Sequence, residues 1–93
     1  MSFTITPNMV INGKIDHIDI GDAKHVDCSD CTELIELPNW PNVYIVYCSG
    51  CTKLIKLPDW PIVEIVHCPK CTGLIELPNW PNITHVDCDK CTK

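Results

Sequence analysis

One phrase constrains this chain more than any other. The pattern C-T-x-L-I-x-L-P-x-W-P begins at Cys31, begins again at Cys51 and a third time at Cys71, and its opening Cys-Thr returns at Cys91. The interval is twenty residues throughout, so the 93-residue sequence divides without gaps into units 23–42, 43–62 and 63–82 and a partial unit 83–93. A strict period of this size marks a chain coiled on copies of itself, each turn burying the flank of its neighbour. Residues one period apart then stack at the strand spacing of about 4.8 Å.

Within a unit the apolar positions run Val43-x-x-Val46-x-Cys48-x-x-Cys51 and then Leu54-Ile55-x-Leu57-Pro58-x-Trp60-Pro61. The first part is rich in Val, Ile and Tyr and predicts a short strand. The second part cannot be helical, because each Pro removes a donor and pushes its predecessor towards extended backbone. One turn is therefore a strand, a tight corner at the Cys-x-x-Cys, and an extended return. Charge supports the register: Glu33 should face Lys53, and Lys56 should lie between Glu36 and Glu76, each neighbour of opposite sign. The Trp40–Trp60–Trp80 ladder, set between prolines, is read as the back wall of the core.

The front differs. Asn12-Gly13 between apolar residues is a hairpin signal, and Gly21-Asp22 would start a second tight turn. Residues 2–28 are read as three short antiparallel strands, the last of them (23–28) becoming the first strand of the stacked sheet. Residues 1–22 are thus an N-terminal antiparallel β cap, and residues 23–93 the repeats.

The run from Val43 to Cys51 fits the opening of L-x-x-L-x-L-x-x-N/C-x-L, with Cys48 at the third apolar position and Cys51 at the Asn/Cys position. On these residues the chain resembles the leucine-rich repeat family in its shortest, twenty-residue class. The L-P-x-W-P run is similar to the L-P-x-L-P of repeats in secreted bacterial effectors, and the two-cysteine pattern looks more like repeats encoded by large DNA viruses. It departs from the bacterial class where Cys replaces aliphatic and Asn positions, where Trp replaces the second Leu, and where the convex apolar residues begin one position later. The resemblance implies an all-β, short leucine-rich-repeat solenoid with a parallel sheet and no helices. It also implies a non-enzymatic protein-binding role for the strand residues that point away from the core.

Those residues are His25, Tyr44, Ile45, Tyr47, Glu64, Ile65, His67, His85 and Asp87, together with Lys24, Asp27 and Thr84. Stacked, they form the rows His25-Ile45-Ile65-His85 and Asp27-Tyr47-His67-Asp87. The centre is apolar and aromatic and the rim polar, the composition of an interface core. His67, His85 and Asp87 could meet and titrate near neutrality or hold a metal weakly. No Ser or Cys nucleophile faces that side, so no catalytic site is expected.

Eight cysteines are read first as buried thiols filling two small ladders that donate weakly to corner carbonyls. The alternative is structural zinc, with Cys28, Cys31, Cys48, Cys51, Cys68, Cys71, Cys88 and Cys91 supplying four thiolates per pair of coils. Parallel ladders would have to distort to converge on a metal, and disulfides are a further option. No cofactor is expected. The net charge of −5, with seven Lys and no Arg, argues against nucleic acid. No apolar run spans a membrane, and MSFTITPNMV lacks the features of a signal peptide, so an intracellular setting is expected, in cytoplasm or nucleus, or in a host cell or virion if the chain is viral. The partial last unit lacks its Leu-Ile-x-Leu-Pro-x-Trp-Pro return. Leu74, Ile75, Leu77 and Trp80 should therefore be uncovered and the last strand open, which predicts a homodimer through this C-terminal edge, and the further alternative to a binding module is a self-assembling structural protein that stacks through the same end.

Overall fold

The computed structural model describes residues 2–89 and Cys91; Lys90, Thr92 and Lys93 of the last unit lie outside the described residues. The strands are β1 (Ser2–Thr4), β2 (His25–Asp27), β3 (Ile45–Tyr47), β4 (Ile65–His67) and β5 (His85–Asp87), with one 3-10 turn at Pro7–Met9. They form a single sheet in the order β1-β2-β3-β4-β5, every neighbouring pair parallel. Among the described residues there is no α-helix, so the fold is an all-β solenoid wound around a parallel sheet. From β2 onward the register is the twenty-residue period, Val26 opposite Val46, Val46 opposite Val66 and Val66 opposite Val86.

Strands β2, β3 and β4 each end at a corner because the residue before the second cysteine takes a left-handed conformation: φ is 64° at Asp30, 75° at Gly50 and 65° at Lys70. Gly adopts this freely and Asp tolerates it, while Lys bears a steric cost. Asp27 and Asp87 brace two of the corners, their carboxylates accepting the N–H of Ser29 (3.0 Å) and Asp89 (3.2 Å).

The interior holds Val26, Val46 and Val66 from the strands, Leu34, Leu54 and Leu74 from the returns, and both cysteine ladders. The tryptophans are core, as the prolines suggested. Their rings stack nearly parallel, Trp40 on Trp60 at 6.1 Å and Trp60 on Trp80 at 6.0 Å. The indole N–H of Trp60 donates to the Pro38 carbonyl (2.9 Å) and that of Trp80 to Pro58 (2.8 Å). Trp60 and Trp80 are thereby bonded to the preceding coil through residues that have no N–H of their own to offer.

The N-terminal segment departs from the antiparallel cap. Its β1 joins the sheet parallel to β2, with Ser2 opposite His25, and the only antiparallel pairing among the described residues is the Ile11–Lys14 bridge across Asn12-Gly13. The strand at His25–Asp27 is therefore the second of the sheet, and residues 2–22 wind a first coil of their own. The reason lies in Phe3 and Ile5, which alternate as Val26 and Cys28 do. In the parallel arrangement the Ile5 N–H reaches the Asp27 carbonyl (2.7 Å), and the Ile5 carbonyl accepts the Cys31 thiol (3.6 Å).

Two further expectations are corrected. Of the four side chains expected to be uncovered, Ile75 is exposed and Leu77 half-buried, but Leu74 and Trp80 are buried, because they point into the turn rather than along the stacking axis and so do not need a following coil. Of the ion pairs, Lys53–Glu33 forms at 3.0 Å. Glu36 is instead taken by Lys14 of the first coil at 3.1 Å, and among the described residues Lys56 is ion-paired to neither Glu36 nor Glu76.

Candidate functional site

The outer face of the sheet carries more side chains than a plain strand would expose. The N–H groups of Tyr44 and Ile45 both donate to the Lys24 carbonyl (2.8 and 3.1 Å), those of Glu64 and Ile65 to Tyr44, and those of Thr84 and His85 to Glu64. Sharing one acceptor kinks the chain, so two consecutive residues face outward before alternation resumes at Val46, Val66 and Val86. This gives three outward rows: Lys24-Tyr44-Glu64-Thr84, His25-Ile45-Ile65-His85 and Asp27-Tyr47-His67-Asp87.

The centre of the face is Tyr44, Ile45, Tyr47 and Ile65, with Ile45 and Ile65 half-buried between rows and the tyrosines exposed. Lys24 places its ammonium 5.4 Å above the Tyr44 ring. Tyr47 and His67 lie 5.2 Å apart at 44°, and His67 Nδ1 is 3.8 Å from Asp87 Oδ2. Of the anticipated cluster the structure joins His67 and Asp87 only. His85 turns to Thr84 Oγ1 at 3.4 Å, and Thr84 in turn donates to the Glu64 carbonyl (3.0 Å). His25 stands at the far end of the Ile45–Ile65 row, beside Ser2.

The cysteines form a second organised set. In successive coils the second thiol of each pair donates to the carbonyl of the first cysteine one coil earlier: Cys51 to Cys28 (3.1 Å), Cys71 to Cys48 (2.8 Å) and Cys91 to Cys68 (2.9 Å). Six of the eight are buried, and Cys88 and Cys91 are half-buried. Burial pushes the Cys31 thiol up to about 11 and the Cys91 thiol up to about 12. Hydrogen bonds to Cys68 and Cys71, then burial, hold Cys48 well above its ordinary value, and those to Cys28 and Cys71 do the same for Cys51. The bonds from Cys48 and Cys51 pull Cys71 below its ordinary value, and the bond from Cys48 does the same for Cys68. A thiol whose proton points at a carbonyl is not presented as a metal ligand. Among the described residues no three His, Cys, Asp or Glu side chains are arranged to hold a metal ion.

The opposite side of the molecule was not singled out from the sequence. There Ile35, Ile55 and Ile75 stand in line, 40%, 49% and 61% exposed. The signal was present: in an extended return the members of a Leu-Ile pair point to opposite sides, so with Leu34, Leu54 and Leu74 inside, each Ile must be outside. Beside this stripe lies a shallow groove of about 330 Å³ lined by Lys56, Leu57, Pro58, Asp59, Glu76, Leu77 and Pro78.

Compared with protein-family models, with curated proteins and with solved structures, the sequence matches none. Among the described residues no helix is long and apolar enough to cross a membrane. The functional reading therefore rests on the surface itself.

Proposed function

We propose that this chain is a non-enzymatic protein-interaction module of the leucine-rich-repeat kind, working inside the cell, with the outer sheet face as its binding surface. The carrying observation is the Tyr44, Ile45, Tyr47 and Ile65 patch, raised outward by the repeated kink and rimmed by Asp27, Glu64, Asp87 and the histidines. Rigid aromatic and β-branched groups with a polar rim suit the desolvated centre of an interface. The acidic rim favours a protein segment that offers an apolar side chain flanked by basic ones. The test is affinity capture from source-cell lysate with wild-type protein and the Tyr47→Ser/Ile65→Ser double variant as paired baits, followed by direct titration of the captured partner. A partner retained equally by both baits would refute the assignment, provided the variant's circular dichroism shows it folded.

One observation favours a second use of the sheet, association of two copies through β5. Val86 is 40% exposed, whereas Val26, Val46 and Val66 at the same position are fully buried. Open edges recruit strands. Loss of a dimer mass on Val86→Lys would support this reading, and a mass that does not change with that substitution would exclude it.

A further inference from the structure

The Ile35-Ile55-Ile75 stripe runs between two rows of charge. On one side, taking one residue per coil, stand Lys14, Glu36, Lys56 and Glu76; on the other stand Glu33 and Lys53, followed by Gly73. The coil-to-coil register on this side is shown by the Ile75 N–H bonded to the Ile55 carbonyl (3.1 Å) and the Ile35 N–H bonded to Gly13 (2.8 Å). Of the charges in these two rows, only Lys14–Glu36 and Lys53–Glu33 close as ion pairs among the described residues. Lys56 and Glu76 line the same groove without pairing.

The order of these charges is the informative feature. The row reads plus, minus, plus, minus, and an alternating row with an even number of members is complementary to its own reversal. Turn a second copy about a two-fold axis lying in the interface, perpendicular to the stripe and passing between Ile35 and Ile55. Lys14 then faces the second copy's Glu76, and Glu36 faces its Lys56. The other row, about the same axis, sets Glu33 against Lys53. Ile35 meets Ile55, and Ile75 is carried to the end of the first coil, where Ile11 is also exposed.

The alternatives fail on charge. An axis passing through Ile55 would set Lys56 on Lys56 and Glu36 on Glu76. An axis parallel to the stripe would set Glu33 on Glu36 and Lys53 on Lys56. One apolar stripe flanked by two rows that are both self-complementary about one axis is what an isologous two-fold interface requires.

We infer that a second copy of this chain docks antiparallel on the Ile35-Ile55-Ile75 face, as a two-fold dimer with its axis between Ile35 and Ile55. The largest face the molecule can present, 29 × 27 Å, is of the order of one side of a standard interface, about 800 Å². The stripe is narrower than that, so the dimer belongs to the weak, reversible class.

Sedimentation velocity from about 1 to about 300 µM covers the range such an interface calls for. The wild type is expected to shift from monomer to dimer, with the midpoint moving to higher concentration as salt is raised. Ile55→Lys is expected to abolish the dimer without changing the circular dichroism, since Ile55 is half exposed. Lys56→Glu, which puts Glu opposite Glu36 twice per dimer, is expected to weaken it about tenfold. The Glu36→Lys/Lys56→Glu exchange, which restores opposite signs at both contacts, is expected to recover it. A monomer throughout the range overturns the inference. So does a dimer unaffected by Ile55→Lys, or an exchange variant as weak as Lys56→Glu alone. Val86→Lys, on the sheet edge, is expected to leave this dimer intact, and a dimer lost on that substitution alone overturns the assignment to this face.

Discussion

Trp60→Ala is expected to be the most costly single substitution in the tryptophan ladder. Trp60 is fully buried and packs on two indoles, Trp40 at 6.1 Å and Trp80 at 6.0 Å, and its N–H serves the Pro38 carbonyl at 2.9 Å. Truncating a buried Trp to Ala costs about 3–5 kcal/mol, transfer and cavity together. Two ring–ring contacts add about 0.5–1.5 kcal/mol each beyond area burial, and the lost hydrogen bond adds about 1 kcal/mol. The terms overlap, and about 5 kcal/mol is a fair total, set against a stability for a domain of this size of about 5–14 kcal/mol. Trp80 has one indole neighbour and one N–H bond, so its Ala variant should lose about 0.5–1.5 kcal/mol less, and Trp40, with one indole neighbour only, less again. Urea unfolding followed by far-ultraviolet circular dichroism measures all three, and Trp60→Phe separates the hydrogen bond from the ring. A Trp60→Ala cost below about 1 kcal/mol, or one equal to that of Trp40→Ala, would refute the view that the ladder is a continuous core wall.

Other outcomes follow from the corners and the thiols. Lys70→Gly relieves a left-handed φ of 65° at a non-glycine residue and is expected to stabilise by about 0.5–1 kcal/mol in thermal unfolding; Gly50→Ala, at φ 75° and with its new Cβ 2.8 Å from Asp30 Oδ1, should destabilise by about 1–2 kcal/mol. Cys31 is held protonated in the fold up to about 11 against an ordinary 9.0, so the folded chain binds the extra proton across that window. The contribution of Cys31 to stability should therefore be fully present below pH 9 and be lost as pH rises from about 9 to about 11, and Cys31→Ala should lessen the slope there while the raised Cys48, Cys51 and Cys91 keep theirs. In the native protein a thiol reagent should modify the half-buried Cys88 first, the half-buried Cys91 more slowly because burial pushes its thiol up to about 12, and the six buried cysteines only on unfolding. Elemental analysis should find no stoichiometric zinc; about two zinc ions per chain that resist mild chelation would show that the thiol-to-carbonyl bonds give way to a metal.

The course of the chain was legible from Cys31 onward because its causes are local. The period of twenty dictates which residues stack. Pro58 and Pro61 dictate an extended return, and the alternation of Val46 with its neighbours dictates which side faces out. Leu34 inside with Ile35 outside was equally determined, since adjacent residues of an extended chain cannot share a side. Where repetition stops, local signals stop deciding. Asn12-Gly13 does form its turn, but a turn settles only the pairing of Ile11 with Lys14. Whether Ser2–Thr4 folded back on its own segment or lay parallel on His25–Asp27 depended on hydrogen bonds between residues more than twenty positions apart, Ile5 to Asp27 and Cys31 to Ile5. The charges divide in the same way. Opposite signs one period apart put Glu36 and Lys56 in reach of each other, but Glu36 went to Lys14, which the first coil brings to its other side. Sequence alone thus determined the repeating coil, its core and its two faces, because those follow from the period and from the two-sidedness of extended backbone. Only the tertiary structure decided how the irregular first coil joins the sheet and which charges it leaves unpaired, because those contacts are non-local and no repeat specifies them.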